Sequence, residues 1–153
     1  MSGVQRVLPH VVLLVRVVLG GIFIAAGIGK VGHANEFAAQ IAAFRILPQP
    51  VIAPAALALP FLELMLGGYL IVGLFTRASA WIAAALLAAF DIAIASAVLR
   101  GLSVSCGCFG PNDKTVTSWG EVARDAVLVL LAVAVALRPP GTLALDRRIS
   151  GIQ

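Results

Sequence analysis

The sequence predicts an all-α, polytopic membrane protein: a four-transmembrane-helix bundle with a short interfacial helix in the first loop. Three observations carry that expectation. Of 153 residues, 61% are hydrophobic and 12% charged, against roughly 25% charged in an average soluble domain. The apolar residues form long blocks instead of a 3.6-residue periodic pattern. Four blocks, at about residues 9–29, 51–75, 77–99 and 119–137, meet the need for about 20 apolar residues per crossing. With the connecting loop at 100–118 they make a single membrane domain, residues 1–153, with little mass outside the bilayer.

The first block has one rival reading, a secretory signal peptide with a small-residue patch at Ala25-Ala26-Gly27. Its length and the charge of Arg16 inside the apolar core favour a retained helix. The first loop carries Phe37, Ile41, Phe44 and Ile46 interspersed with Glu36, Gln40 and Arg45. That pattern predicts the interfacial helix, ended by Pro48 and Pro50. In the second block Pro54 and Pro60 each remove an amide donor, so a kink is expected one turn before Glu63. Small residues recur at four-residue spacing, at Gly21, Ala25 and Gly29 on the first span and Ala80, Ala84 and Ala88 on the third. Such faces let membrane helices approach closely. The fourth block starts with a capping box, Ser118 and Glu121. Trp81 and Trp119 read as interfacial belt residues.

Charge gives a topology. Five basic residues (Arg6, Arg77, Arg138, Arg147 and Arg148) fall on the side of the termini, and four (Lys30, Arg45, Arg100 and Lys114) on the other. The positive-inside rule then leans toward cytoplasmic termini, with the 100–118 loop extracytoplasmic. The net charge of +4 is scattered, which excludes nucleic acid as a partner and leaves the lipid bilayer.

Arg16, Glu63, Asp91, Arg124 and Asp125 fall inside the spans, where each costs about 2.5–3.5 kcal/mol unless paired. Asp91 and Arg124 lie roughly 12 and 8 Å from the same surface, which predicts a contact between them. Arg16 and Glu63 are the other expected pair. Ion pairs holding helices in register are one reading of these charges. The other is a polar pocket for a redox partner, formed by Arg16, Lys30, Glu63, Asp91 and Arg124.

Both cysteines of the chain lie in Cys106-Gly107-Cys108-Phe109-Gly110, in the long third loop. No distant cysteine remains to be stapled, so the pair reads as chemistry. As a disulfide it would close a small ring across one glycine, and ring strain makes such a bond more oxidising. Gly107 and Gly110 provide the backbone freedom, and Pro111 ends the turn. Two thiolates supply half of a tetrahedral zinc site, which His33 and Asp113 would have to complete. Two buried small apolar residues are the plainest reading. Redox chemistry fits the loop context best.

At this point the sequence resembles a family. Arg16 with Gly20-Gly21, then Gly27-Ile28-Gly29-Lys30, Phe37, Leu47-Pro48, Leu59-Pro60 with Glu63 and Gly67, Cys106-Gly107-Cys108-Phe109-Gly110, and Trp119 with Arg124-Asp125 are similar to the MauE branch of the DoxX-like membrane proteins. The resemblance covers about residues 10–137, and it implies a four-helix bundle. It further implies maturation of periplasmic disulfide-bearing proteins beside a thioredoxin-like partner. In the members that name the family, the client is the small subunit of methylamine dehydrogenase. Four-helix quinone-linked thiol oxidases use two cysteine pairs; this chain has one.

The functional expectation is an inner-membrane, multi-pass thiol–disulfide redox subunit. Cys106 and Cys108 would exchange disulfides with a thioredoxin-like extracytoplasmic protein. A quinone in the polar pocket, by analogy with other four-helix thiol oxidases, would exchange electrons with them. Lys30 and Arg124 are candidates to stabilise the attacking thiolate. A non-enzymatic scaffold or chaperone subunit and a metal-binding protein using Cys106 and Cys108 are the alternatives.

Overall fold

A computed structural model describes residues 3–110, 112–138 and 143–146, with side chains from Val7 onward. Pro111, Arg147 and Arg148 lie outside the described residues, as does the side chain of Arg6. The described chain is helical: α1 (Gly3–Lys30), α2 (Ala34–Ala43), α3 (Gln49–Val72), α4 (Thr76–Leu99) and α5 (Trp119–Leu137). One antiparallel bridge, Ser105 with Val116, is the extended pairing among the described residues.

Helices α1, α3 and α4 are long and apolar enough to cross a membrane, which makes this a multi-pass membrane protein. Their outward faces present Leu14, Ile28, Leu57, Phe61, Ile82 and Ile92, an apolar surface of the kind that lipid covers. Helix α5 spans 19 residues, but Glu121, Arg124 and Asp125 occupy its first two turns and its apolar run starts after them. Helix α2 is a separate 10-residue segment with Phe37 buried.

The long helices pack as two pairs, α1 with α3 and α4 with α5. The α1–α3 contact is set by glycine. A Cβ on Gly20 would meet the Gly67 carbonyl at 2.8 Å, and one on Gly27 the Pro60 carbonyl at 2.9 Å. The expected Gly21–Ala25–Gly29 face is therefore displaced by one residue: Gly21 has nothing within 4 Å. Helices that run nearly antiparallel keep a seven-residue stripe in contact, and Gly20 and Gly27 are that stripe. Ala80 and Ala84 of α4 are buried as expected, in a core with Leu19, Phe23, Leu66, Leu70, Ala132 and Val135. Helix α3 continues as one α-helix through Pro54 and Pro60.

The molecule has two distinct ends. At one, the tight α3–α4 turn is built on Gly73 (φ +75°) and Phe75 (φ +49°). Asp146 folds onto that turn, accepting from the amides of Phe75 at 2.8 Å and Thr76 at 2.7 Å. Its own amide donates to the Gly73 carbonyl at 3.0 Å. At the other end, α2 and the 100–118 loop cover the C-terminal end of α1.

Candidate functional site

The 100–118 loop is a hairpin. The Cys106 amide donates to the Thr115 carbonyl at 2.8 Å, and the Thr117 amide to Val104 at 2.9 Å. The Asp113 carboxylate accepts from the Thr115 amide at 3.0 Å and from its hydroxyl at 2.5 Å. The Ser105 hydroxyl donates to the Asp113 carbonyl. Burial opposes ionisation of Asp113, yet the Thr115 hydroxyl and amide outweigh it and hold the carboxyl below its ordinary range. Arg100 fastens the base of the hairpin to the end of α2, donating to the Phe44 carbonyl at 2.6 Å.

The tip of this hairpin is Cys106-Gly107-Cys108-Phe109-Gly110, with the two cysteines bonded to each other and their Cα atoms 5.3 Å apart. The tip sits backbone to backbone on the Gly-Ile-Gly-Lys end of α1. A Cβ on Gly29 would fall on the Phe109 carbonyl, and one on Gly110 would fall on the Gly29 carbonyl. Gly110 also needs its φ of +101°, a value that an L side chain rarely adopts. The two motifs are thus halves of one joint.

The two sulfurs have different surroundings. Cys106 is buried and lines an apolar groove of about 300 Å³ between α2, α3 and α4, with Phe37, Gln40, Phe44, Leu59 and Ile94. Cys108 is half-buried, and the Arg124 Nη2 stands 3.8 Å from its Sγ. Below Cys108 lies a cavity of about 230 Å³ whose walls come from all four long helices. They are Ile22, Phe23, Ala26 and Lys30 of α1, Glu63 of α3, Leu87 and Phe90 of α4, and Arg124, Asp125 and Leu128 of α5. Cys108 and Phe109 form its roof.

Inside the cavity Lys30 Nζ donates to Glu63 Oε1 at 2.6 Å, with both side chains buried. The helical geometry explains how a residue at the end of α1 reaches one deep in α3. Every Cβ leans toward its helix N-terminus; in antiparallel helices Lys30 leans into the bilayer while Glu63 leans back toward the hairpin. The Lys30 ammonium also lies 5.2 and 5.5 Å from the Phe37 and Phe90 ring centroids. Arg124 is held by Asp125 at 2.8 Å and touches Glu121 at 2.5 Å. The Ser118 hydroxyl accepts from the Glu121 amide at 3.4 Å, and the Glu121 side chain turns to Arg124 instead of returning to the cap.

Of the residues singled out in the sequence, Lys30, Glu63, Arg124, Asp125 and Cys108 share this cavity. Arg16 and Asp91 are not among its walls. The expected Arg16–Glu63 pair does not form. The Gly20–Gly67 and Gly27–Pro60 register puts Arg16 level with the far end of α3, roughly 12 Å below Glu63. There its fully buried guanidinium lies against Gly73, within electrostatic reach of Asp146. The expected Asp91–Arg124 contact is replaced by the Asp125 and Glu121 bonds to Arg124, which neighbours on the same helix make more easily. Asp91 lies within electrostatic reach of Asp125. Among the described residues no group of three or more His, Cys, Asp or Glu side chains comes together as a metal site.

The family model described as methylamine utilisation protein MauE matches residues 8–138. The chain belongs to the MauE family. The match runs from the first turns of α1 to the end of α5 and takes in every wall of the cavity and the whole hairpin. Named MauE relatives are similar over most of their length. The methylamine utilization protein MauE of Paracoccus denitrificans is 38% identical over 133 residues, covering 86% of this chain and 72% of the relative. That of Methylorubrum extorquens is 37% identical over 84% of this chain and 69% of its own. That of Paracoccus versutus is 37% identical over 90% and 78%. No solved structure matches the chain.

Two contributors escaped sequence reasoning in this MauE-family chain. Phe90 divides the cavity from the groove, lining both, and an aromatic residue in an apolar block carries no signal of that. Asp146 lies 70 residues from the amide it caps, and no local pattern marks it.

Proposed function

We propose that this chain is a membrane thiol–disulfide exchange protein that supports maturation of extracytoplasmic disulfide-bearing proteins, working with a thioredoxin-like partner. The service to methylamine utilisation is taken over from the names of its relatives. One observation carries the reading: a cysteine pair separated by one glycine and held at the tip of a braced hairpin, with the half-buried Cys108 sulfur beside the Arg124 guanidinium. A partner thiolate reaches Cys108 more easily than the buried Cys106. It attacks the Cys108 sulfur, the Cys106–Cys108 bond breaks, and Cys106 leaves as a thiolate. The partner's second thiolate then attacks its own sulfur in the mixed disulfide, and Cys108 leaves as a thiolate opposite Arg124. The partner ends oxidised and the Cys106–Cys108 pair reduced. A nearby cation favours the thiolate form at this step.

The proposed setting is the inner membrane with four spans, α5 being the fourth. Its 19 residues extend roughly 28 Å, close to the about 30 Å of a hydrocarbon core. Asp146, shortly after α5, is bonded at the α3–α4 turn, at the end opposite the hairpin; this supports α5 running the full thickness. The hairpin then faces the extracytoplasmic side and the termini the cytoplasm.

Acid quenching of membranes followed by alkylation tests the exchange. The pair is expected in both oxidised and reduced forms, with the ratio moved by a reduced thioredoxin-like domain. Cys106→Ser, whose Cys108 thiolate attacks the disulfide of the oxidised domain, is expected to capture that domain as a mixed disulfide on Cys108. Thiols that stay in one state under reductant and oxidant alike would sink the reading.

A further inference from the structure

The thiol exchange leaves an electron pair on Cys106 and Cys108, and the cavity beneath Cys108 is shaped for one class of acceptor. We propose that it binds the headgroup of a quinone, which takes the electron pair from the reduced dithiol. The proposal rests on the thiol-exchange reading and names where its electrons go. Three observations carry it. The cavity, about 230 Å³, is smaller than the roughly 300–1,000 Å³ of whole-ligand pockets, so it suits a single ring and not an entire lipid. Its apolar walls include the Phe23 and Phe90 rings and Ala26. Its polar floor is incomplete: Lys30 and Glu63 bond each other through Oε1, while Glu63 Oε2 is buried with no hydrogen-bond partner.

That floor offers a spare donor beside a spare acceptor, since an ammonium has three N–H groups. A lipid tail would use neither group, and an unsatisfied buried polar atom is costly. A permanent anion would meet the Glu63 and Asp125 carboxylates; a permanent cation would meet Lys30 and Arg124. A neutral ring oxygen that is a carbonyl when oxidised and a hydroxyl when reduced matches the pair in both states. The carbonyl accepts from Lys30, and the hydroxyl donates to Glu63 Oε2.

The chemistry balances. The Cys108 thiolate, facing Arg124, adds to a ring carbon of the quinone. The Cys106 thiolate attacks the Cys108 sulfur, forming the S–S bond as the C–S bond breaks and its electron pair stays with the ring. Two thiols lose two electrons and two protons and the quinone gains both as hydroquinone. Lys30 protonates the ring oxygen it faces and is reprotonated from one thiol, the other thiol proton goes to the far ring oxygen, and the Glu63 carboxylate accepts from the new hydroxyl.

The test uses the full chain purified in detergent, reduced, freed of reductant without oxygen and mixed with duroquinone. One hydroquinone is expected for each two thiols lost. Ala26→Leu, which fills the cavity, and Glu63→Gln, which removes the charge of the acceptor, are each expected to slow that reaction at least tenfold. Gly21→Ala, which points away from every neighbour, keeps the rate. A folded Ala26→Leu or Glu63→Gln protein with the unaltered rate overturns the proposal. So does a pair that, as the disulfide, oxidises a reduced thioredoxin-like domain yet, as the dithiol, leaves duroquinone oxidised. Hydroquinone formation without any such exchange would keep the acceptor site and remove the partner.

Discussion

Lys30 and Glu63 show how a membrane interior constrains single residues. Each is nearly inaccessible, at 1% and 3% exposure, so each depends on the other for its charge. Removing one partner leaves an uncompensated buried charge, which costs about 3–5 kcal/mol. Lys30→Met is therefore expected to lower thermal stability in detergent by that order, and Lys30→Met with Glu63→Leu to regain most of it. Failure of the double variant to recover would mean that the pair is not what each residue needs. The glycine joint gives a second residue-scale expectation. Gly110→Ala combines a backbone collision with a positive φ, a strain on the order of 1–3 kcal/mol. It is expected to detach the hairpin and raise the alkylation rate of reduced Cys106 more than tenfold, whereas Gly21→Ala leaves both stability and labelling within measurement error. The cysteine pentapeptide was legible as a candidate site because two thiols in a loop need a reason. That its glycine partner is Gly29 was not legible, since contact between residues 81 positions apart leaves no local trace.

At the scale of elements, α4 is the instructive case. Its N-cap position, Phe75, has a left-handed backbone and no side-chain cap, so the helix borrows a carboxylate from elsewhere. Asp146 fills that role. Burial opposes its ionisation, but the Thr76 and Phe75 bonds prevail and hold its carboxyl below the ordinary range. A depressed carboxylate contributes stability that is complete above its unfolded value and fades as pH falls through the folded one. Asp146→Asn is expected to cost about 1 kcal/mol, as the loss of a helix cap does. The difference should persist at neutral pH and vanish only below the ordinary carboxylate range, read from unfolding midpoints across that span. A difference that instead grew on acidification would contradict the assignment. The bounds of α5, and the cap by Ser118, followed from the sequence because they rest on local rules. The glycine stripe between α1 and α3 was misplaced by one position because several small residues compete on one helix, and the register of the partner chooses among them.

For the whole molecule, the two ends make opposite demands. The α3–α4 turn and residue 146 close one end by backbone bonds. The hairpin, α2 and the end of α1 enclose the thiols and two cavities at the other. A four-span arrangement places these ends on opposite faces of the bilayer. A phosphatase reporter inserted within the hairpin is therefore expected to be active in the periplasm, and one joined after Leu137 inactive. The reverse pattern, or activity at both points, would require α5 to be something other than a span. The sequence alone determined the membrane class and the helical segments, because hydropathy and helix capping act locally along the chain. Tertiary structure decided the partners: Lys30 for Glu63 in place of Arg16, Asp125 for Arg124 in place of Asp91, and Gly29 beneath the cysteine tip. Each choice depends on helix register and on the direction in which side chains lean. Those are properties of two packed helices together, and neither sequence segment contains them by itself.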